Sequence, residues 1–107
     1  PPAAGAAGVR VDCPETLKFQ LVDQVRTRLA AYLAEGQPVG ASNLRMRELV
    51  TIDGVRAIFE DGWGLIRASN TQPALVLRFE APSPARLDVI RATIETELAQ
   101  ARRVLST

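Results

Sequence analysis

Two Asp-Gly pairs constrain the fold of this chain more than any other feature of its sequence. Asp53-Gly54 and Asp61-Gly62 each separate short apolar runs, and such pairs are a strong signal for a tight turn between antiparallel strands. The predicted strands of this meander are residues 46–52, 55–60 and 63–69, with a fourth strand after a turn at residues 70–73 and a short strand candidate at residues 8–12.

Two amphipathic segments flank the meander. The first predicted helix begins at Pro14 and runs to about Glu35, where Gly36 ends it, and the second begins at Ser83 and Pro84. Their apolar stripes recur at helical spacing and comprise Leu21, Val22, Val25, Leu29, Tyr32 and Leu33 in the first helix, and Leu87, Ile90, Ile94, Leu98, Ala101 and Leu105 in the second. This pattern predicts an α+β fold: an antiparallel sheet, built from a four-stranded meander plus a short N-terminal strand, with both helices packed on one face and the other face free for a ligand.

Length and composition indicate a single domain. The chain has 107 residues, and its opening segment, PPAAGAAG at residues 1–8, is small and featureless. We expect residues 1–8 to be a linker from an upstream domain and residues 9–107 to form the domain itself. The sequence has no signal-peptide pattern and no apolar stretch approaching about 18 residues, so we expect a cytoplasmic location and no membrane partner.

Charge and residue types exclude further classes. The formal net charge is +1 and the arginines are spread along the chain, so we expect no nucleic-acid partner. Histidine is absent and no Asp/Glu cluster has ligand spacing, so no metal site or cofactor is predicted in this chain. The single cysteine, Cys13, is expected to be packed at a strand end rather than reactive.

The segment RASNTQPALVLRFE, at residues 67–80, has the residue types that hold a phosphate group. It arranges its polar residues around one short turn between apolar strands, and these residues are Arg67, Ser69, Asn70, Thr71 and Arg78. Arginine supplies a planar fork of donors, hydroxyl groups donate short bonds, and successive backbone amides of a turn form a concavity that accepts an anion.

A hairpin with a four-residue loop at residues 70–73 would bring both arginines to one face. Arg67 would lie opposite Val76 and Leu65 opposite Arg78, so the two arginines would be diagonal neighbours about 7 to 8 Å apart at the backbone. A one-residue bulge would turn one of them away. The other face of the hairpin is apolar and consists of Ile66, Ala68, Leu75, Leu77 and Phe79.

The same residues also fit a solvated hairpin face. In that interpretation Arg67 or Arg78 pairs with Glu60 or Glu80, and Trp63 covers the sheet edge instead of stacking on a ligand. A second polar cluster, which is either a solvated strand entry or another anion site, consists of Asn43, Arg45 and Arg47. Spacing alone leaves these alternatives open.

The segment from Asp53 to Ala81, DGVRAIFEDGWGLIRASNTQPALVLRFEA, closely resembles the C-terminal domain of bacterial phosphomannomutase/phosphoglucomutase enzymes, in the alpha-D-phosphohexomutase superfamily. The resemblance is looser, but consistent in element order, over residues 9–105. Phosphoglucosamine mutases and many animal-type phosphoglucomutases tend to carry Gly where Asn70 stands. The SNT sequence followed by Pro73 therefore resembles the mannose/glucose branch.

The resemblance implies a role for the loop. In this family the corresponding loop grips the phosphate group of a bound phosphosugar, and the matching residues are Arg67, Ser69, Asn70, Thr71 and Arg78. The implied partners are mannose or glucose 1- or 6-phosphate and the upstream domains of the same polypeptide.

The resemblance also implies a division of labour in the parent enzyme. Family members have four domains, with a phosphoserine in the first, Mg²⁺ held by aspartates in the second and sugar recognition in the third. They move a phosphoryl group between the C1 and C6 hydroxyls through a bisphosphorylated intermediate, so Mg²⁺ and a glucose 1,6-bisphosphate type activator are implied for the parent. This chain has neither the nucleophile serine motif nor an aspartate triplet, and we expect no turnover by it alone.

Two other function classes use the same features. A stand-alone phospholigand-binding or regulatory module would have the same loop without a mutase. A protein-interaction domain would dock through the free sheet face, although Arg67 and Arg78 among hydroxyl groups fit a small anion better.

Overall fold

The structure of the chain, a computed structural model, describes residues 5–106. The strands are β1 (Gly5–Asp12), β2 (Glu48–Val50), β3 (Val55–Ile58), β4 (Trp63–Ala68) and β5 (Ala74–Ala81), and the helices are α1 (Lys18–Glu35) and α2 (Pro84–Leu105). The strands form one sheet in the order β1-β5-β4-β3-β2, with every neighbouring pair antiparallel. The predicted α+β fold is confirmed.

Several element boundaries differ from the prediction: β2 starts two residues later, β3 ends two residues earlier and β4 ends one residue earlier, and the larger differences are at α1, the end of β2 and β1. Helix α1 begins at Lys18 rather than Pro14, because residues 15–17 form a turn in which the Leu17 N–H donates to the Pro14 carbonyl (2.9 Å). Strand β2 ends at Val50, and Ile52, predicted to end it, lies in the following turn with 94% of its surface exposed.

Strand β1 begins at Gly5, three residues before the predicted start. Its first residues pair with the far end of β5, from Gly5 opposite Ala81 to Gly8 opposite Arg78. Part of the segment assigned to a linker therefore belongs to the sheet, since the eight-residue β5 has backbone groups to pair along its whole length. Residues 1–4 of that segment lie outside the described residues.

The core lies between one face of the sheet and the two helices. All five residues of the predicted apolar hairpin face are buried, as are Ile90, Ile94, Leu98 and Ala101 of the predicted α2 stripe and Leu21, Val25 and Leu29 of the α1 stripe. The Ser83 side chain caps α2 as predicted, because its hydroxyl accepts a bond from the Arg86 N–H (3.2 Å). Neither helix in the described part of the chain has the length and hydropathy needed to cross a membrane.

Both Asp-Gly turns have no room for a Cβ atom, which at Gly54 would clash with the Ile66 carbonyl, and only Gly54 also has a left-handed backbone. Gly54 has a φ of 74°, a left-handed conformation that side chains disfavour. Gly62 is not left-handed, but a Cβ there would clash with the Glu80 carbonyl and lie 2.8 Å from Ile90 Cδ1. The second turn therefore needs glycine because β5 and α2 approach its backbone closely.

A buried ion pair joins the two helices. The carboxylate of Glu97 on α2, whose side chain is 2% exposed, accepts bonds from Arg28 Nε (3.0 Å) and the Tyr32 hydroxyl (3.4 Å) on α1. Packing the helices side by side on one face of the sheet leaves the opposite face for the candidate site.

Candidate anion-binding site

The strand register brings the two arginines of the loop segment to the open face of the sheet. Leu65 lies opposite Arg78 and Arg67 opposite Val76, with no bulge in this strand pair, so the predicted register is confirmed. The Ser69 N–H donates to the Ala74 carbonyl (2.9 Å) and closes the four-residue loop. Both arginines are exposed, on the face away from the helices.

Arg67 has a partner that the sequence did not indicate. Its Nη1 lies 3.3 Å from Oδ2 of Asp53, in the turn between β2 and β3, and the two side chains are 44% and 72% exposed. In the described residues neither Glu60 nor Glu80 forms an ion pair with either arginine, and the Arg78 side chain has no hydrogen bond or ion pair. Of these two arginines, Arg67 is therefore loosely paired and Arg78 is unpaired within the described part of the chain.

Ser69 organises the loop backbone. Its hydroxyl oxygen accepts bonds from the N–H groups of Thr71 (3.4 Å) and Gln72 (3.2 Å). These two amides therefore bind within the loop, whereas the sequence predicted a concavity of backbone amides that would meet an anion directly. A hydroxyl that accepts two hydrogen bonds still has its own proton to donate, so the Ser69 O–H can donate to an anion. The two amides that donate to its oxygen polarise the hydroxyl and make it a stronger donor.

The side chains of Asn70 and Thr71 lie at the tip of the loop. Both residues are exposed, and within the described part of the chain neither side chain forms a hydrogen bond. An amide and a hydroxyl in this position are donors available to a ligand. The structure therefore brings all five residues singled out in the sequence to one loop and the adjoining sheet face.

One residue behind the loop was not predicted from the sequence. Lys18 lies on the buried side of α1, and its ammonium donates to the carbonyl oxygens of Ser69 (2.6 Å) and Gln72 (3.2 Å). The available signal was its spacing: Lys18 stands three residues before Leu21 and seven before Val25, in line with the apolar stripe. A lysine in that position needs a buried polar partner.

Two of the other polar features, Trp63 and Arg45, have structural partners. The Arg56 guanidinium lies 4.7 Å from the centre of the Trp63 ring, so this ring takes part in a cation–π contact on the sheet. Arg45, in the second polar cluster, donates to the Gly36 carbonyl at the end of α1. Cys13 is buried directly after β1, as predicted, and burial raises the pKa of its thiol.

The donor set of the described residues does not fit a metal ion. Among residues 5–106 there is no group of three or more Cys, Asp, Glu or His side chains placed to hold one. No step at this site is therefore assigned to a metal.

The fold and the loop define a class: an α+β domain with a hydroxyl-rich hairpin loop and two arginines on an open sheet face. A family profile described as "Phosphoglucomutase/phosphomannomutase, C-terminal domain" matches residues 9–97. The chain belongs to this family.

Individual relatives agree with the family. The chain is 41% identical over 90 residues to a phosphomannomutase/phosphoglucomutase of Pseudomonas putida, covering 84% of this chain and 17% of the relative. It is 59% identical over 44 residues to a phosphoglucomutase of Neisseria gonorrhoeae, covering 41% of this chain and 10% of the relative. The chain thus spans less than a fifth of the length of these relatives.

A solved structure agrees as well. The crystal structure of a phosphoglucomutase/phosphomannomutase family protein from Burkholderia thailandensis matches with a TM-score of 0.69 and 32% identity, covering 94% of this chain and 18% of the other.

Proposed function

We propose that this chain is the substrate-phosphate-binding C-terminal domain of a phosphomannomutase/phosphoglucomutase. The observation that carries the proposal is the strand register, which places Arg67 and Arg78 on one face of the sheet next to the closed loop that begins at Ser69. The family membership and the names of the relatives support a hexose phosphate as the ligand.

In this proposal each residue of the loop has a distinct role. Arg67 exchanges its weak bond to Asp53 for a bidentate bond to two phosphate oxygens, because its planar fork matches their spacing. Ser69 donates its hydroxyl proton to a third oxygen, and Arg78 adds a second positive charge from the neighbouring strand. Asn70 and Thr71 supply neutral donors at the loop tip.

The proposed contribution to catalysis is positioning. The complete enzyme would interconvert hexose 1-phosphate and 6-phosphate through a phosphoserine and a bisphosphorylated sugar, with Mg²⁺ bound in another domain. This domain would hold the phosphate that is not reacting, so that binding energy at a remote group orients the reacting one. The chain by itself should show no turnover.

Variants of Arg67 in the full-length enzyme test the proposal. Loss of one charge-assisted bond costs about 1.5 to 3 kcal/mol, so Arg67→Ala should lower kcat/KM by roughly 10- to 150-fold. Arg67→Lys should recover only part of this loss, because an ammonium lacks the fork. Arg91→Ala is the control, since Arg91 pairs with Glu95 on α2 (3.4 Å), away from the site.

The melting temperature of each variant is measured as well. Because Arg67 lies on the face away from the core, its loss should leave the melting temperature close to that of the wild type. A normal kcat/KM for Arg67→Ala, or a loss accounted for by unfolding, would remove Arg67 from the site.

A further inference from the structure

Lys18 is the only lysine of the chain, and its side chain is 2% exposed. Lysine is almost never fully buried unless its ammonium is paired, because removing the charge from water is costly. We therefore asked which partners of the ammonium stabilise it in this buried position.

Three acceptors surround the ammonium. Nζ lies 2.6 Å from the Ser69 carbonyl oxygen, 3.2 Å from the Gln72 carbonyl oxygen and 2.9 Å from Oε2 of Glu15. An ammonium has three N–H donors, so every donor has a partner. Two of the three bonds go to the backbone of the candidate site, which is more than 50 residues away in the chain.

These bonds fix the orientation of the loop peptides. The chain has no cis peptide bond among the described residues, and in a trans peptide the C=O and the following N–H point to opposite sides. Because the Ser69 carbonyl points to Lys18, the Asn70 N–H points away from it, to the side of the loop where a ligand would bind. The Cys13 N–H donates to the Pro73 carbonyl (2.9 Å) and fixes the other end of the loop in the same way.

We propose that Lys18 is a positioning residue of the phosphate site. It holds the Ser69 and Gln72 carbonyls inward, so the loop is ordered before a phosphomonoester dianion of a hexose phosphate arrives. The inference rests on the proposed function for its ligand, but the effect on the loop is independent of any ligand. Preorganisation of this kind lowers the ordering cost of binding.

Amide exchange and ¹⁵N relaxation of residues 69–72 in the ligand-free chain provide the first test. Lys18→Met keeps the length of the side chain and removes the ammonium, so the Thr71 and Gln72 amides should exchange about tenfold faster, since bonds to a charged group are lost. Glu15→Gln is the matched control, because it removes the carboxylate partner but leaves both bonds to the loop. Unchanged loop exchange in a folded Lys18→Met chain would overturn the proposal.

Titration with glucose 1-phosphate provides the second test. Binding by Lys18→Met should be about tenfold weaker than binding by the wild type, and binding by Glu15→Gln should not be weaker. Equal affinity of Lys18→Met and the wild type would overturn the proposed role of Lys18 but not the proposed function of the chain. If the wild-type loop does not respond to glucose 1-phosphate, the proposed function fails, while the exchange comparison still decides whether Lys18 orders the loop.

A third measurement needs no variant, in case Lys18→Met does not fold. With ¹⁵N-lysine labelling, the chain gives one Nζ signal, which burial and three hydrogen bonds should protect from rapid exchange with water. This signal should shift together with the Ser69 to Gln72 amides during titration with glucose 1-phosphate or inorganic phosphate. A signal that is absent, or that stays fixed while the loop amides shift, would contradict the proposal.

Discussion

Asp53 and Arg67 form an exposed ion pair, with 3.3 Å between Oδ2 and Nη1, across the mouth of the candidate phosphate site. A phosphate that binds Nη1 of Arg67 must displace this carboxylate. Because exposed pairs contribute about 1 kcal/mol or less, the competition is weak. The pair therefore holds the Arg67 guanidinium only weakly, and it remains available to a ligand.

Asp53→Asn should strengthen hexose phosphate binding by about two- to fivefold, since it removes the competing charge and asparagine suits the same turn. Asp23→Asn is the control, because Asp23 forms a similarly exposed pair with Arg26 on α1 (2.6 Å). Isothermal titration with glucose 1-phosphate measures both. Unchanged or weaker binding by Asp53→Asn would show that Asp53 does not compete with the ligand.

Ser69→Ala should weaken glucose 1-phosphate binding by about tenfold, because it removes one donor to the phosphate and the acceptor that orders two loop amides. Ser42 makes similar bonds in a different turn: its hydroxyl donates to the Val39 carbonyl (2.5 Å) and accepts from the Leu44 N–H (3.1 Å). Ser42→Ala should therefore affect the melting temperature without affecting binding. Equal binding losses in the two variants would argue against a direct role of Ser69.

Arg28→Ala should destabilise the chain by about 3 kcal/mol, because it leaves the buried Glu97 carboxylate without its cation. Arg26→Ala removes an exposed arginine two residues earlier and should cost about 1 kcal/mol or less. Urea denaturation compares the two free energies of unfolding. A similar, small effect of both substitutions would mean that Glu97 does not depend on the ion pair.

The pair of Asp61 and Arg86 should make stability depend on pH. Arg86 donates to both carboxylate oxygens of Asp61 (2.6 and 3.2 Å), and this hydrogen bonding holds the pKa of Asp61 below its usual value. A carboxylate with a lowered folded-state pKa stabilises the fold above the unfolded pKa of about 3.9 and loses that contribution as the pH falls through the folded pKa.

Asp61→Asn should therefore reduce stability at neutral pH and flatten the decline of the melting temperature below about pH 4. Melts from pH 7 to pH 2 of wild type, Asp61→Asn and the exposed-pair variant Asp23→Asn measure this effect. If the melting temperatures of the wild type and Asp61→Asn fell in parallel with decreasing pH, the proposed contribution of Asp61 would be contradicted.

The hairpin could be predicted because the residues that determine its register lie close together in the sequence. Alternation of apolar residues on both sides of a four-residue loop sets the register, and the register alone places Arg67 and Arg78 on one face. The start of α1 was not predictable in the same way: Pro14 suits a first helical turn, yet Cys13 N–H binds the Pro73 carbonyl and holds that segment against the loop. Tertiary contact there prevails over local preference.

The partners of charged residues were the part that the sequence could not reveal. Lys18 bonds to Ser69, 51 residues away in the sequence, and Arg28 bonds to Glu97, 69 residues away. No local sequence pattern indicates either pair. Both Lys18 and Glu97 do stand on apolar helical stripes, where a charged residue signals a buried partner without identifying it.

NMR titration of the ¹⁵N-labelled chain with glucose 1-phosphate shows where the phosphate group binds. One loop supplies only part of the contacts of a closed enzyme, so we expect a Kd in the millimolar range, about 4 kcal/mol of binding free energy. Glucose without phosphate is the control and should cause no comparable shifts. For the proposed site, we expect the largest amide shifts at Ser69 to Gln72. If the largest shifts fell on residues 43–47 instead, the anion would bind at the other polar cluster and the proposed site would be wrong.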